Sequence, residues 1–438
     1  MRLDRKAPKK LYVLFVWHVF ASLALLVWVA PALYDATFND WSDDLAPGLP
    51  AHAVAHLDWV GDHLSGPFDG YSNRQVLAEQ FSVVALSHMA SGLMNVAVEE
   101  PARAEELSRL TGELVRRARS SSVSPYRKDP ADQDDLGDRG LYLTHLNLIL
   151  GVHRHVSGSA EHDKLHTRVS KHLARRSSGG DWHARSYPLS RAQDDDRGAN
   201  EWPADQAATL ASLYLYDKTR KGSLSKPLIK GWLSFMKRKK MRHEATGLPR
   251  SAVSTSLDYA DLPRGSGLSW TVLYMSQFAP RQARELYGLY REHFERDVLG
   301  FTGFREWPEG LDKGMDVDSG PIVLGVGASA TGIGVGAARM MADDRVYTGA
   351  MRAASTFGLP LTLTGSRVYV TSPLLGDAIL FHGTTARPWF ADREHEGDFD
   401  DEPTTPSGNY ILLGILAALI LYEVMSVRDV WVDIRTWS

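Results

Sequence analysis

Two uninterrupted apolar stretches frame this chain, and between them polar and apolar positions change in blocks rather than residue by residue. Residues 11–33, LYVLFVWHVFASLALLVWVAPAL, hold no charge and one histidine, His18. That length suffices to cross a hydrocarbon core. The second stretch, Tyr410–Val427 (YILLGILAALILYEVMSV), is just long enough, with Glu423 near its inner end. The acidic, Pro/Thr-bearing approach DREHEGDFDDEPTTPSG reads as a solvated linker. Arg2, Arg5, Lys6, Lys9 and Lys10 precede the first stretch and predict a cytoplasmic N-terminus. The apolar core of a cleaved signal peptide is shorter, ~7–15 residues, so an uncleaved anchor is expected. Two crossings return the tail, with Arg428 and Arg435, to the cytoplasm. A third uncharged run, GPIVLGVGASATGIGVGAARMMA, has the glycines of a helix buried in protein.

Between the anchors, period-two alternation is almost absent, so long strands are not expected. Instead one unit recurs: a charged helix with one wet face, a long loop rich in Gly, Asp, Ser and Pro, then a helix apolar all round. The apolar helices are predicted to begin near Tyr71, Gly140, Trp202, Gly265, Ser319 and Ser372. Their charged partners fall near His52–His63, Pro101–Arg119, Glu161–Arg176, Leu224–Lys240, Arg281–Arg296 and Asp343–Ala354. Spacings of about 53 to 69 residues are too irregular for a strict solenoid. Helices apolar on all sides must be surrounded by protein. The expectation is therefore an all-α fold, an (α/α)6 toroid of six helical hairpins flanked by two transmembrane helices. The divisions are 1–10 cytoplasmic, 11–33 spanning, 35–390 extracytoplasmic toroid, 391–409 linker, 410–427 spanning and 428–438 cytoplasmic. In the last unit, LTLTGSRVYVTSP is alternatively a small hairpin.

Composition narrows the chemistry. The formal net charge of −4 argues against a nucleic-acid partner, and KRKKMRH (237–243) reads as a solvated helix end. The absence of cysteine removes disulfides, zinc–thiolate sites and thiol nucleophiles together. GVGASATGIGVG follows no strand and has no G-x-G-x-x-G register, so no dinucleotide cofactor is expected. HDKLH lacks the glutamate and third ligand of a zinc site, and DPADQDDLGD lacks the spacing of a calcium loop. No G-x-S-x-G elbow occurs. Neither metal nor cofactor is expected.

In a ring of hairpins the N-termini of the inner helices share one mouth, and the polar residues at these starts are the candidates. RGANEWPADQAATLASLYLYD puts Pro203 at the first helical position and Asp205 in the first turn, where a carboxylate also serves as a cap. MDVDSGP brings Asp316 beside Asp318; two such close like charges need a partner or a raised pKa. Asp205 and Asp318, assisted by Asp316, are the candidate acid and base. Tyr71, Glu201, Trp202 and Trp270 suit a polyhydroxylated ligand, whose apolar ring faces aromatic side chains cover. Tyr142, also a substrate-binding candidate, and His145 are alternative bases for a lyase or epimerase.

The body, about residues 50–390, resembles the large (α/α)6-toroid group: glycoside hydrolases, polysaccharide lyases, uronyl epimerases and the linalool dehydratase/isomerase family. EWPADQAATLASL and DVDSGPIVLGVGASATG look like inner-helix starts of these proteins. The resemblance implies a membrane-anchored enzyme that hydrolyses or otherwise modifies a glycan. The runner-up is a hydratase, dehydratase or isomerase acting on a small alcohol or isoprenoid, although the cysteines of the linalool enzymes' site are missing here. A non-catalytic glycan-binding or assembly module is the third expectation.

Overall fold

The computed structural model describes residues 9–65, 81–137, 139–178, 202–254, 260–316, 318–371, 375–390, 399 and 401–437. Helix dominates. The first apolar stretch forms α1 (Lys9–Ala24) and α2 (Ala30–Phe38), joined by a π-helical turn, so that one rod runs from Lys9 to Phe38. The last helix, α15 (Ser407–Trp437), takes in the end of the acidic approach and the tail. Both are long and apolar enough to cross a membrane, and only 6% of each is buried in protein. They pack antiparallel: Phe15 meets Trp431, His18 Nδ1 lies 2.7 Å from Glu423 Oε2, and Phe38 meets Tyr410. Polar side chains in such apolar helices need partners, and here each supplies the other's.

Between them lie the charged and apolar helices in strict alternation. The charged set is α3 (Ala51–Ser65), α5 (Ala104–Arg119), α7 (Asp163–Ser178), α9 (Ser225–Met236), α11 (Pro280–Phe294) and α13 (Asp344–Gly358). The apolar set is α4 (Phe81–Glu99), α6 (Gly140–Ser157), α8 (Pro203–Arg220), α10 (Gly265–Met275), α12 (Ala328–Met341) and α14 (Leu375–Thr385). In α5, Leu107, Leu110, Thr111, Leu114, Val115 and Ala118 face inward at helical spacing. In α4 every residue from Ser82 to Val96 is buried. α4 has the length and hydropathy of a membrane span, yet 83% of it lies inside protein, and its place is the core. α4 packs on α6, α6 on α8, α8 on α10, α10 on α12, α12 on α14, and α14 returns to α4.

Short turns join each apolar helix from α4 to α12 to the charged helix after it, and long connections lead from charged to apolar helices. The long connections therefore share the side of the apolar N-termini. Among the described residues they carry three hairpins: β1 (Glu295–Val298) with β2 (Phe301–Phe304), β3 (Ile322–Val323) with β4 (Val326–Gly327), and β5 (Pro360–Leu363) with β6 (Ser366–Tyr369). The last is the alternative read from LTLTGSRVYVTSP. The β3–β4 hairpin corrects one boundary: α12 begins at Ala328 rather than near Ser319, because residues 319–327 are spent on a turn and two short strands.

Candidate functional site

The N-terminus of α10 is assembled from outside its own segment. Gly265 donates its N–H to the Glu306 carbonyl at 2.9 Å. A Cβ at Gly265 would stand 1.9 Å from the Arg305 carbonyl oxygen, so only glycine permits this approach. The fully buried Glu306 carboxylate then caps the helix, accepting from Ser266 N (3.1 Å) and Ser266 Oγ (2.8 Å). Arg264, just ahead of the helix, donates from Nε to Glu306 at 2.8 Å and lies over the Trp307 ring, 4.9 Å from its centroid. Burial pushes the Glu306 carboxyl up, although Arg264 and Ser266 pull the other way.

The rest of the Arg264 guanidinium reaches the predicted aspartates. Nη2 donates to Asp316 Oδ1 at 2.8 Å, and Nη1 lies 3.9 Å from Asp318 Oδ2. Asp316 Oδ1 also accepts from Asp318 N (3.1 Å) and Ser319 N (2.9 Å). Partial burial works to raise Asp316, but Arg264 and these two amides prevail and hold it below the ordinary carboxylate range. Asp318 moves the opposite way: the protein mass around it raises it, against Arg264 and with help from Asp316. Its side chain is 60% exposed to water. Asp316 fastens a turn, whereas Asp318 keeps its carboxylate turned to solvent.

Six residues along α10 from Arg264, about 9 Å deeper on helical rise, stands Trp270. Its ring meets His145 edge-on at 5.5 Å and His88 at 5.3 Å. Below it His88 Nδ1 and His382 Nδ1 share a hydrogen bond of 2.9 Å, with Tyr274 about equally close to both rings. His145 Nδ1 is 2.5 Å from Ser87 Oγ. Burial lowers His88 to about 3 and His382 well below its ordinary value, so both imidazoles are neutral. The indole N–H of Trp270 and Nε2 of His88 are buried with no hydrogen-bond partner among the described residues. α4, α6, α10 and α14 thus each send a ring or imidazole to one polar–aromatic floor.

The chain matches no family model and no curated protein.

Of the predicted residues, Asp316, Asp318, Trp270 and His145 gather on or under the start of α10. Trp202 and Asp205 begin the neighbouring α8, whose Ala204 lies within 3.7 Å of a Cβ placed on Gly267. Tyr142 is fully buried in the first turn of α6, where its hydroxyl donates to the Ala118 carbonyl near the end of α5. Tyr71 and Glu201 lie outside the described residues. Sequence reasoning missed Glu306, His88, Tyr274 and His382 as site residues. For the histidines a signal was present, since an imidazole in a helix apolar on all sides has no water to face. Among the described residues no three His, Asp or Glu side chains are grouped as a metal site.

Proposed function

We propose that this chain is a membrane-anchored enzyme, its helical body an extracytoplasmic (α/α)6 toroid, that modifies a glycan by carboxylate acid–base chemistry at the mouth of the ring. The cyclic packing from α4 round to α14 supports the toroid. The five basic residues ahead of α1 support the orientation. One observation carries the chemistry: Asp316 and Asp318 share Arg264, and their surroundings push one carboxyl down and the other up. Carboxyls driven apart in this way are how one site holds both a permanent charge and a proton-transferring group. In this reading Asp318 exchanges the proton, Arg264 and Asp316 orient it, and Asp205 on α8 is the second carboxylate. Trp202 and Trp270 provide aromatic faces for sugar rings.

Turnover of cell-surface polysaccharide fragments by the detergent-solubilised full chain tests this. Asp318→Asn is expected to lose ~10²–10⁴-fold, the usual worth of a positioned acid or base, with KM little changed. Asp205→Asn is expected to fall similarly. Unchanged turnover in both variants would remove the assignment. The neutral imidazoles and the unpartnered Trp270 and His88 atoms favour a second reading, a hydratase or isomerase acting on a small alcohol or isoprenoid whose hydroxyl reaches that floor. In that case His88→Asn would abolish turnover and Asp318→Asn would not.

A further inference from the structure

The terminal helices leave the body on a definite side. α13 starts at the short turn after α12, so its last residues stand at the mouth. α2 runs antiparallel to it. Near the start of α13 the Tyr347 hydroxyl donates to Asp44, beyond the domain end of α2, while just past its end the Leu359 carbonyl accepts from Trp28 Nε1 at 3.3 Å. α15 joins at the same end, with Asn409 Nδ2 donating to Thr356 Oγ1 (2.8 Å) and Gly408 N to the Leu299 carbonyl (2.7 Å). Both rods therefore continue past the mouth-side end of α13, and the bilayer lies on the side to which the mouth opens. Trp28 bonds at this end of α13, and Tyr34 and Tyr410 flank Phe38 beside it, the kind of aromatic residue that marks a membrane interface.

The exposed apolar residues agree. Outside the terminal rods, every large, exposed apolar side chain among the described residues lies on the mouth-side connections or, for Phe357, in the last turn of α13 that leads into one, and none on the short turns opposite. They include Leu299, Met315, Val323, Leu324, Phe357 and Leu363, 55–74% exposed. Leu299 and Leu324 occupy hairpin tips at φ 58° and 51°, left-handed positions that favour Asn or Gly. Leucine there bears a backbone cost, and its apolar side chain stands outward.

Beside the Leu324 tip is an open cleft of about 330 Å³, lined by Arg296, Arg305, Trp307, Ile322 and Leu324 and, as its one carboxylate, by Asp312, which accepts from Gly314 N at 2.8 Å. Two guanidiniums converge in it: a Cβ on Gly325 would lie 3.0 Å from Arg296 Nη1 and 3.7 Å from Arg305 Nη1. Arg305 also bonds Glu309, an exposed carboxylate worth little in water. Arg296 has no carboxylate partner among the described residues.

We propose that the mouth-side face rests in the leaflet on the domain's side, and that the Arg296–Arg305 cleft holds the anionic head group of a lipid in that leaflet. Apolar tips beside paired guanidiniums match a ligand that is a phosphate at one end and hydrocarbon at the other. This stands apart from the proposed reaction and is read without turnover.

Because the chain has no cysteine, single cysteines take an environment-sensitive dye cleanly. The full chain, labelled at Val323→Cys, Leu363→Cys or, on the opposite side, Lys226→Cys, is placed in nanodiscs containing spin-labelled phosphatidylcholine or spin-labelled phosphatidylglycerol. Dyes at 323 and 363 are expected to be quenched several-fold more than at 226. At 323 the anionic lipid is expected to quench more than the neutral one, and Arg296→Gln with Arg305→Gln should erase that difference while leaving quenching by phosphatidylcholine. Equal quenching at all three positions would overturn the seating. No preference for the anionic lipid, or a preference surviving both substitutions, would overturn the head-group site. Loss of the preference on adding millimolar inorganic phosphate would assign the cleft to free phosphate instead of lipid.

Discussion

Glu306 is fully buried and Arg264 is its only charged partner among the described residues, so the pair is sensitive to losing either member. Arg264→Ala is expected to destabilise the protein by about 3–5 kcal/mol, the usual cost of leaving a buried charge alone. Thermal unfolding of the solubilised chain measures it. The loss should shrink at low pH, where the Glu306 carboxyl, already raised by burial, takes a proton, and Glu306→Gln in the same chain should restore much of it. His88 gives a second, opposite dependence. Its folded pKa of about 3 lies below the ordinary 6.5, so the unfolded chain binds a proton that the folded one refuses. Stability is therefore full above pH 6.5 and falls as pH drops towards 3, by up to ~1.4 kcal/mol per unit for this residue. A His88→Asn chain should show a flatter acid limb in the same unfolding series. Neither residue announced itself in the same way. Glu306 follows a four-residue strand with no periodicity to assign it a face, and its partner lies 42 positions earlier. Asp316 and Asp318 stood out because they are neighbours in sequence, which left open which of the two would be consumed by its own turn.

At the level of elements, the join between α4 and α14 is among the tight ones. A Cβ on Gly92 of α4 would lie 2.5 Å from the Phe381 ring of α14. Gly92→Ala is expected to cost about 1–3 kcal/mol as the ring is displaced, and Phe381→Leu in that background to recover part of it, again read from the unfolding midpoint. The alternation of wet and dry helices was readable because it is local: charged faces at helical spacing in α5, and none in α4. Gly140, Trp202 and Gly265 sit within a residue of observed helix starts for the same reason. The start of α12 was not readable, since the β3–β4 hairpin is set by the partners of residues 319–327 and not by their pattern. The rods outran their apolar cores as well: α15 stays helical through Asp429, Asp433 and Arg435, because a span's length is fixed by hydropathy but its helix ends only where capping or a turn stops it.

On the scale of the whole molecule, the two rods pack antiparallel, and in the proposed orientation Lys9 and Thr436 stand on one side of the membrane and the helical body on the other. In right-side-out cells, a membrane-impermeant thiol reagent is expected to label Lys226→Cys and to leave Thr436→Cys, near the far end of α15, unlabelled until the membrane is opened; the reverse pattern would turn the body inward. The round of helix contacts also bears on synthesis. His88 and His382 touch although 294 residues separate them, so α4 has no partner on one flank until the ribosome has delivered almost the entire chain. Until then an apolar surface long enough to be mistaken for a membrane span stands uncovered, and a truncated nascent chain ending before α14 would strand it there, open to misinsertion or capture by a chaperone.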